Sequence, residues 1–404
     1  MGKIVLAYSG GLDTSILIRW LIEKYDAEVV TVTVNVGQRE DLKALEEKAL
    51  KIGATRHYSI DARREFAEKY LWSAVKANAL YQGKYPLSTA LARPLIASKL
   101  VEVARREGAE ALAHGCTGRG NDQIRFDITL KALAPEMKVI APVREWNLSR
   151  EEEVAYARDR GIPIPSKDKP YSIDQNLWGR SIECGPLDDP AAEPPEDAFE
   201  WTVKPEEAPD QPQYVTIGFE KGIPIALNGR EMEAVRLIEE LNSLAGSQGV
   251  GRIDHVEDRV MGLKSREVYE CPAALTLIEA HRDLEKLTLT GRELSFKHLV
   301  DLEWAWLAYA GLWVHPLREA LEAFIEASQE RVTGEVKVKL YKGSLTVVGR
   351  KAQKPVHDLT LTTSRLMEAL DQALARGFIE HWGLQARACM LEKVEGKPKE
   401  SLTD

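Results

Sequence analysis

Apolar and polar positions along residues 1–165 switch repeatedly between the period of a strand and the period of a helix. Residues 4–7 form a near-continuous apolar run, typical of a strand buried on both faces of a parallel sheet, and apolar side chains then recur at helical spacing from residue 16. Further strands are predicted at residues 28–34, 56–60, 110–114 and 138–141. Helices are predicted between them, from Asp41 to Gly53, over residues 62–78, up to Gly108 and from a capping box at residues 149–152 to Gly161. This alternation predicts an α/β domain built on a doubly wound parallel sheet.

The pattern changes after Pro163. Two pairs of strand-like segments, each joined by a Lys-Gly turn, predict hairpins at residues 214–227 and 335–348. An amphipathic helix that ends at Gly246 lies between them. Strands mixed with helices in this way predict a separate α+β domain, which we bound at residues 166–357.

Two segments do not fit either domain pattern. Residues 188–213 are rich in proline and acidic side chains, and we expect them to cross the surface with Phe199 and Trp201 as anchors. Residues 358–404 carry one apolar helix face, formed by Leu366, Leu370, Ala373 and Leu374. Because an apolar face needs a partner, this tail is interpreted as an oligomerisation arm, with folding back onto its own chain as the alternative.

Charge and composition narrow the class of protein. The 404 residues carry a formal net charge of −9, which argues against a protein that binds the nucleic-acid backbone. Hydrophobic residues make up 44% of the chain, but no apolar run approaches the roughly 20 residues that span a membrane. The four cysteines are far apart and include no C-x-x-C pair, which favours free thiols in a reducing cytoplasm.

A glycine-rich loop, S-G-G-L-D-T-S at residues 9–15, connects the first predicted strand to the first helix. Its glycines let the backbone turn sharply and approach a ligand closely. The free N–H groups at the helix start, with roughly half a positive charge, attract phosphate. The loop contains no lysine, so it is not a Walker A sequence. It resembles the loop of the ATP pyrophosphatase (PP-loop) families, which cleave ATP between the α- and β-phosphates.

Three polar loops, at residues 9–15, 35–38 and 115–122, each follow a predicted strand. Because ligands of a doubly wound sheet bind outside the carboxyl ends of its strands, we expect these loops to form one site. The third loop and the helix after it offer the side chains of Thr117, Asn121, Asp122 and Arg125. A fourth segment, residues 85–94, holds a phenol, two hydroxyls and an arginine and is a further candidate.

Six segments, which follow one another along the chain, extend the resemblance beyond the glycine-rich loop. They are AYSGGLDTS at residues 7–15, NVGQ at 35–38, LARP at 91–94, HGCTGRGNDQIRF at 114–126, KPYSIDQNLWGRSIE at 169–183 and GRIDHVEDRVMGLKSREVYE at 251–270. In these segments the chain resembles the argininosuccinate synthase family. Its members join citrulline to aspartate with ATP and release AMP and pyrophosphate, a step of arginine biosynthesis. The resemblance implies a nucleotide-binding domain over residues 1–165, a synthetase domain over residues 166–357 and a C-terminal arm over residues 358–404 that is used in a homotetramer.

The resemblance also implies roles for individual residues. ATP would be bound by Ala7, Tyr8, Ser9, Gly10, Gly11, Leu12, Asp13, Thr14 and Ser15, with Val34 and Gly115 beside them. Citrulline would be bound by Tyr85, Ala90, Asn121, Arg125, Ser172, Ser181, Glu257 and Tyr269. Aspartate would be bound by Thr117, Asn121 and Asp122. Asp13 and Asp122 are the candidate catalytic residues, and Mg²⁺ would accompany ATP on ligands that the sequence does not identify.

The implied chemistry explains these residue types. Adenylation turns the ureido oxygen of citrulline into a leaving group, and the helix start with Mg²⁺ would stabilise the departing pyrophosphate. The amine of aspartate then displaces AMP, with Asp122 as proton acceptor or orienter. Glu257 would pair with the α-amino group of citrulline and Arg125 with its carboxylate. Many relatives have serine where this chain has Ala90, so a contact to citrulline there must come from the backbone.

Other interpretations of the same loop predict other features. A tRNA thiouridylase would need catalytic cysteines and a basic surface, and an amidotransferase-coupled synthetase usually has a glutaminase or an ammonia channel. A non-catalytic nucleotide sensor would not need the polar residues between Glu257 and Tyr269. The Rossmann-like glycine spacing at residues 246–251 follows a helix and is set aside. Three tryptophans, Trp304, Trp306 and Trp313, have leucine neighbours and are expected in the core, and His114 is left without a role.

Overall fold

The computed structural model describes residues 2–118, 120–146, 150–164, 170–356 and 373–395. The chain forms two compact units, Met1–Lys354 and Pro355–Asp404. The first unit contains the three sheets of the described chain.

A five-stranded parallel sheet with the order β3-β2-β1-β4-β5 forms the centre of the N-terminal half. Its strands are β1 (Lys3–Ala7), β2 (Glu28–Asn35), β3 (Arg56–Asp61), β4 (Ala111–Ala113) and β5 (Lys138–Ile140). Strand β1 pairs with β2 on one side and with β4 on the other, so the winding reverses at β1. Such a reversal opens a crevice at the carboxyl ends of the strands. The predicted doubly wound parallel sheet is confirmed, because the five strands lie where the sequence pattern placed them and pair in parallel.

Helices flank this sheet. They are α1 (Leu12–Tyr25), α2 (Leu42–Ile52), α3 (Arg63–Glu65), α4 (Trp72–Lys76), α5 (Ser88–Glu107), α6 (Asp122–Leu133), α7 (Pro142–Trp146) and α8 (Arg150–Asp159). A π-helical segment, Phe66–Leu71, joins α3 to α4, so the helix predicted over residues 62–78 contains a wide turn. The carboxylate of Asp41 accepts two backbone N–H bonds, at 2.9 and 3.2 Å, and caps α2 as predicted. Ser149 of the predicted capping box lies outside the described residues.

Two antiparallel sheets of the described chain, with helices packed against them, form the second half of the first unit. One has the order β10-β9-β8-β13-β14 and the other β11-β12-β7-β6. The strands are β6 (Ser172–Asn176), β7 (Gly179–Glu183), β8 (Gln213–Glu220), β9 (Ile223–Leu227), β10 (Arg230–Glu231), β11 (Arg252–Asp258), β12 (Lys264–Glu270), β13 (Gly334–Tyr341) and β14 (Ser344–Ala352). The helices are α9 (Ala234–Gly246), α10 (Pro272–Thr288), α11 (Gly291–Tyr309) and α12 (Pro316–Gln329). Both predicted hairpins are present, as β8–β9 and β13–β14, and the predicted α+β character is confirmed.

A buried carboxylate anchors the proline-rich segment predicted at residues 188–213. The oxygens of Glu270 accept hydrogen bonds from the backbone N–H groups of residues 200–202, at 2.8 to 3.1 Å. Phe199 packs against a small buried cluster and Trp201 is half-buried, so both expected anchors contribute. The main anchor is nevertheless the glutamate, which the sequence pattern did not single out.

One of the three tryptophans expected in the core lies at the surface. Trp304 is fully buried and Trp313 packs against the core, whereas Trp306 is 47% exposed. Trp304 and Trp306 are two residues apart on α11, so they point to different sides of the helix. The prediction for Trp306 was therefore wrong, because leucine neighbours were counted without regard to helix face.

Residues 355–356 and 373–395 of the second unit are described. They include α13 (Ala373–Trp382) and α14 (Leu384–Glu395). The apolar side chains of Phe378, Ile379 and Trp382 are 63%, 64% and 80% exposed. Leu366 and Leu370 of the predicted apolar face lie outside the described residues. Among the residues that are described, no helix is long and apolar enough to cross a membrane.

Candidate active site

A cleft of about 820 Å³ opens at the carboxyl ends of β1, β2 and β4 and faces the sheet that contains β6, β7 and β12. Most predicted site residues line it: Ala7, Tyr8, Ser9, Gly11, Thr14, Val34, Tyr85, Gly115, Thr117, Asn121, Asp122, Arg125, Ser172, Ser181, Glu257 and Tyr269. The other predicted residues, Gly10, Leu12, Asp13, Ser15 and Ala90, belong to the same loops and helices but are not among its lining residues. The three loops that sequence topology predicted to converge therefore do meet at one place.

The glycine-rich loop requires glycine at position 10. Gly10 has φ +77°, and a Cβ built there would lie 2.1 Å from Cδ2 of Leu45. Helix α1 has Gly11 at its N-cap and no side-chain cap, so no cap side chain occupies the first-turn N–H groups. The hydroxyl oxygens of Ser9 and Thr14 lie 3.1 Å apart at the mouth of the loop. This arrangement of N–H and hydroxyl donors suits a phosphate chain.

A lysine reaches this loop from a neighbouring helix. Lys48 on α2 donates from Nζ to the carbonyl oxygen of Gly10 at 2.7 Å, and burial lowers the pKa of its ammonium group. The C=O and N–H of one planar peptide point in opposite directions. The bond to Gly10 therefore also orients the N–H of Gly11, which lines the cleft.

The loop after β2 joins the nucleotide half to the second sheet. Gly37 has φ +104°, and a Cβ there would lie 2.5 Å from the backbone nitrogen of Leu177. That nitrogen donates to the carbonyl of Val36 at 2.9 Å. The side chain of Gln38 closes the loop, accepting from the N–H of Val36 and donating to the carbonyl of Val34, both at 2.8 Å. The close approach packs the turn between β6 and β7 against the loop after β2.

The loop after β4 is shaped by His114, which is fully buried. Its Nε2 lies 2.7 Å from Oδ1 of Asp127, and its Nδ1 accepts from the N–H of Cys116 at 3.3 Å. Because Nδ1 accepts, Nε2 carries the proton and donates to the carboxylate. Gly115 allows close packing on the glycine-rich loop, since a Cβ there would lie 2.9 Å from Cγ2 of Thr14. His114 thus holds the loop in position.

Asp122 lies between two arginines at the start of α6. Its Oδ2 accepts from Nε of Arg93 at 2.8 Å and its Oδ1 from Nη1 of Arg125 at 2.9 Å. Burial raises the pKa of Asp122, but Arg93 and Arg125 outweigh this effect and hold the pKa below its ordinary value. Arg93 also donates to Asp174 on β6 at 2.6 Å. Asp122 is thus an oriented carboxylate whose lowered pKa makes it a weak base.

Glu257 receives hydrogen bonds from two phenols. Tyr269 donates to its Oε2 at 2.7 Å and Tyr309 to its Oε1 at 2.5 Å. The ring of Tyr85 stacks on that of Tyr269, with 4.3 Å between centroids. Burial, followed by the charge of Glu257, raises the pKa of Tyr269 and of Tyr309, so both phenols remain donors near neutral pH. Tyr309, at the end of α11, was not among the predicted site residues.

A second group of charged residues lines the wall of the cleft formed by β7 and β12. Nη2 of Arg259 lies 2.6 Å from Oε2 of Glu183 and 2.7 Å from Oε1 of Glu267. Burial, assisted by the charge of Glu183, raises the pKa of Glu267 to about 8, and Arg259 offsets only part of this. All three residues lie inside the segments that carry the family resemblance, but the sequence analysis assigned them no role.

The fold and the site together define a class of protein. A doubly wound parallel sheet with a lysine-free glycine loop after its first strand is typical of nucleotide-binding α/β enzymes of the ATP pyrophosphatase kind. Comparison with known families agrees. A family model described as the arginosuccinate synthase N-terminal HUP domain matches residues 3–163, and one described as the arginosuccinate synthase C-terminal domain matches residues 171–389. The chain belongs to the argininosuccinate synthase family.

Individual relatives match over nearly the whole chain. The chain is 60% identical to an argininosuccinate synthase of Pyrococcus furiosus, over 95% of this chain and 93% of that protein. It is 58% identical to one of Pyrobaculum aerophilum, over 95% and 97% of the two chains. It is also 58% identical to one of Hyperthermus butylicus, over 96% and 98%. A solved structure of a U34-tRNA thiolase from Methanococcus maripaludis covers 42% of this chain and 60% of its own at 16% identity, with a TM-score of 0.26, too low to support a functional argument.

Proposed function

We propose that this protein ligates citrulline and aspartate with ATP, through a citrullyl-adenylate, and releases AMP and pyrophosphate in arginine biosynthesis. One observation carries the proposal: the glycine-rich loop faces the same cleft as Asp122, Arg125 and Glu257. A phosphate-binding loop opposite both acidic and basic side chains suits a reaction between a nucleotide and zwitterionic amino acids. Membership of the family supports the same activity.

In this proposal the loop of residues 7–15 binds ATP, with Val34 and Gly115 beside it. The N–H groups at the start of α1 and the hydroxyls of Ser9 and Thr14 stabilise the charge that develops on the departing pyrophosphate. The buried members Leu12 and Ser15 act by shaping the loop, since neither lines the cleft. Asp13 lies in the first turn of α1, next to the N–H groups that would bind the pyrophosphate, and it stays a candidate catalytic residue in this proposal.

Citrulline is proposed to lie along the wall formed by Tyr85, Asn121, Arg125, Ser172, Ser181, Glu257 and Tyr269. Glu257 would pair with the α-amino group and Arg125 with the carboxylate. Ala90 is buried on α5 and has no side-chain hydroxyl, so any contact that it makes to citrulline would come from its backbone.

Aspartate is proposed to bind at Thr117, Asn121 and Asp122. Of the two roles left open for Asp122, the lowered pKa supports the orienter, because a carboxylate paired with two arginines takes up a proton poorly. Its charge would instead attract and align the aspartate amine for attack on the adenylated carbon. Solvent water in the open cleft would take up the proton that the amine releases.

Mg²⁺ would arrive with ATP. Among the described residues, no group of three His, Cys, Asp or Glu side chains is placed to hold a metal. This fits an ion held mainly by phosphate oxygens and water, as Mg²⁺ commonly is at nucleotide sites. When bound, the ion would neutralise phosphate charge, and we name no protein ligand for it.

We propose the domain limits 1–165, 166–357 and 358–404, with the last acting as an arm in a homotetramer. The exposed apolar side chains of α13 support an arm that needs a partner. All four cysteines are free thiols, which supports a reducing compartment such as the cytoplasm.

The decisive experiment measures AMP formation from ATP with citrulline and aspartate present together or singly. We expect AMP and pyrophosphate, with net ligation only when both amino acids are present. Release of ADP and phosphate would refute cleavage at the α-phosphate. AMP formation that depends on tRNA or glutamine would favour the thiouridylase or amidotransferase-coupled alternative, and ATP binding without turnover would favour a sensor.

A further inference from the structure

Tyr309 contacts three of the proposed citrulline residues, two at the start of α6 and one on β11. Its hydroxyl donates to Glu257 and accepts from Asn121, and its carbonyl accepts from Arg125. We propose that Tyr309 is a positioning residue that aligns these groups for the α-amino and carboxylate ends of citrulline. The inference rests on the proposed function and adds a residue that neither the motifs nor the resemblance assigned.

The first alignment concerns Glu257, which is 3% exposed. Tyr309 holds one carboxylate oxygen and Tyr269 holds the other, so the plane of the carboxylate is determined from both sides. Each carboxylate oxygen has a second lone-pair direction, and Glu257 lines the cleft. The second lone pair of each Glu257 oxygen can therefore accept a hydrogen bond from an ammonium group. The attraction between this carboxylate and an ammonium group is strong because the site is buried.

The second alignment concerns the amide of Asn121. Its Nδ2 donates to the hydroxyl of Tyr309 at 2.9 Å, and its Oδ1 accepts from the N–H of Val260 at 3.0 Å. These two partners determine which way the amide faces. The Tyr309 hydroxyl therefore acts as a hydrogen-bond relay: it accepts from Asn121, which precedes α6, and donates to Glu257 on β11.

The third alignment concerns the guanidinium of Arg125. Its Nε and Nη2 both donate to the carbonyl of Tyr309 at 3.0 Å, while its Nη1 donates to Asp122. The Arg125 guanidinium also lies 5.1 Å from the centroid of the Tyr309 ring. This contact depends on Gly311, which has φ +79° and where a Cβ would lie 2.9 Å from Cα of Arg125. The end of α11 is thus built to approach the start of α6.

The ring of Tyr309 is held independently of its hydroxyl. It is 1% exposed and stacks on Tyr81, with centroids 3.5 Å and planes 5° apart. Replacing Tyr309 by phenylalanine removes one oxygen and leaves this stack and the carbonyl contact to Arg125 in place. The hydroxyl relay is therefore separable from the packing by one substitution.

The test compares Tyr309→Phe with the wild-type enzyme in steady-state assays of AMP release. We expect KM for citrulline to rise about 10- to 100-fold, the loss typical of a hydrogen bond to a charged group, with KM for ATP unchanged. Tyr70→Phe is the matched control, because Tyr70 is also buried and its ring stacks on Trp313 at 4.6 Å, outside the cleft lining. The control should leave all KM values at their wild-type level.

A second substrate distinguishes misalignment of Glu257 from a general loss of substrate binding. The probe is 5-ureidopentanoate, which is citrulline without its α-amino group. Wild type should prefer citrulline strongly, and Tyr309→Phe should lose most of that preference, because the ammonium group then meets a misaligned Glu257. Unchanged discrimination in Tyr309→Phe, or an equal rise of KM for citrulline and ATP, would overturn the inference. Failure of the proposed function is distinguishable, because wild type itself would then show no citrulline-dependent AMP release.

Discussion

The ammonium nitrogen of Lys48 lies 2.7 Å from the carbonyl oxygen of Gly10, so a loop without a lysine of its own is held by one from α2. In a Walker A loop the lysine reaches the phosphates directly. Here the charge acts on the backbone, and the peptide that it orients carries the N–H of Gly11, whose nitrogen lies 3.5 Å from Oγ of Ser9 in the loop that lines the cleft.

Lys48→Met should weaken ATP binding. Loss of a charge-assisted hydrogen bond leaves the Gly10 carbonyl free to rotate, and we expect KM for ATP to rise roughly 10-fold. The measurement is the initial rate of AMP release at varied ATP. Lys43→Met and Lys51→Met are the controls, since both lysines are exposed on the same helix. If these control substitutions raise KM for ATP as much as Lys48→Met does, the effect comes from the overall charge of the helix and not from the contact with Gly10.

Gly10→Ala should also impair ATP binding, and more severely. The left-handed backbone costs alanine about 1–2 kcal/mol, and its Cβ would collide with Leu45. Gly108→Ala is the control, because Gly108 has φ +61° and a Cβ at that position would meet nothing within 4 Å. Both variants should lose stability in thermal unfolding, but only Gly10→Ala should lose ATP affinity by titration. Normal ATP affinity in Gly10→Ala would contradict a phosphate role for the loop.

Asp122→Asn should retain ATP binding and lose ligation. The amide cannot pair ionically with Arg93 and Arg125, so the aspartate amine loses its aligning charge, and we expect kcat to fall about 100-fold or more. Binding of ATP by titration and formation of argininosuccinate by chromatography are the two measurements. Thermal unfolding serves as the control for loss of stability at Arg93 and Arg125, which lose their ionic partner. Turnover at the wild-type rate would remove Asp122 from the mechanism.

Glu267 should make stability depend on pH in a defined window. Its folded pKa is about 8, against an ordinary value of 4.5, so the folded state keeps a proton that the unfolded state releases. The contribution of this proton to stability is complete below about pH 4.5 and declines as the pH rises to about 8. Glu267→Gln carries no such proton. The difference in melting temperature between Glu267→Gln and wild type should therefore grow in favour of the variant from pH 5 to pH 8, and a constant difference would contradict the raised pKa.

Four strands of the parallel sheet were predictable because they contain short apolar runs, whereas β3, with the sequence RHYSID, was placed by its position in the alternation of strands and helices. The hairpins were predictable because a Lys-Gly pair interrupts two alternating segments in each case. The π-helical turn within residues 62–78 was not predictable, since the apolar spacing of this segment suits an α-helix and a π-helix equally. The exposure of Trp306 was missed because composition near a residue does not tell which helix face it occupies.

Within the site, the residues that follow strands in sequence could be found from their motifs, and the cleft brings most of them together. Residues that act through contacts with residues distant in sequence could not be found in this way. Tyr309 lies 52 positions from Glu257 and 188 from Asn121, and no local pattern relates them. Lys48 likewise looks like one of several surface lysines on an amphipathic helix. A glycine such as Gly311 after a helix end is a weak signal of close approach, but it does not name the partner.

The missing Cβ at Gly37 has a practical consequence for recombining members of this family. The backbone at Gly37 meets that of Leu177 too closely to admit any other side chain, so at this point the nucleotide half and the second sheet meet backbone against backbone. Chimaeras that swap whole halves between relatives should therefore need glycine at this position, together with matching side chains where Arg93 meets Asp174 and Asn121 meets Tyr309.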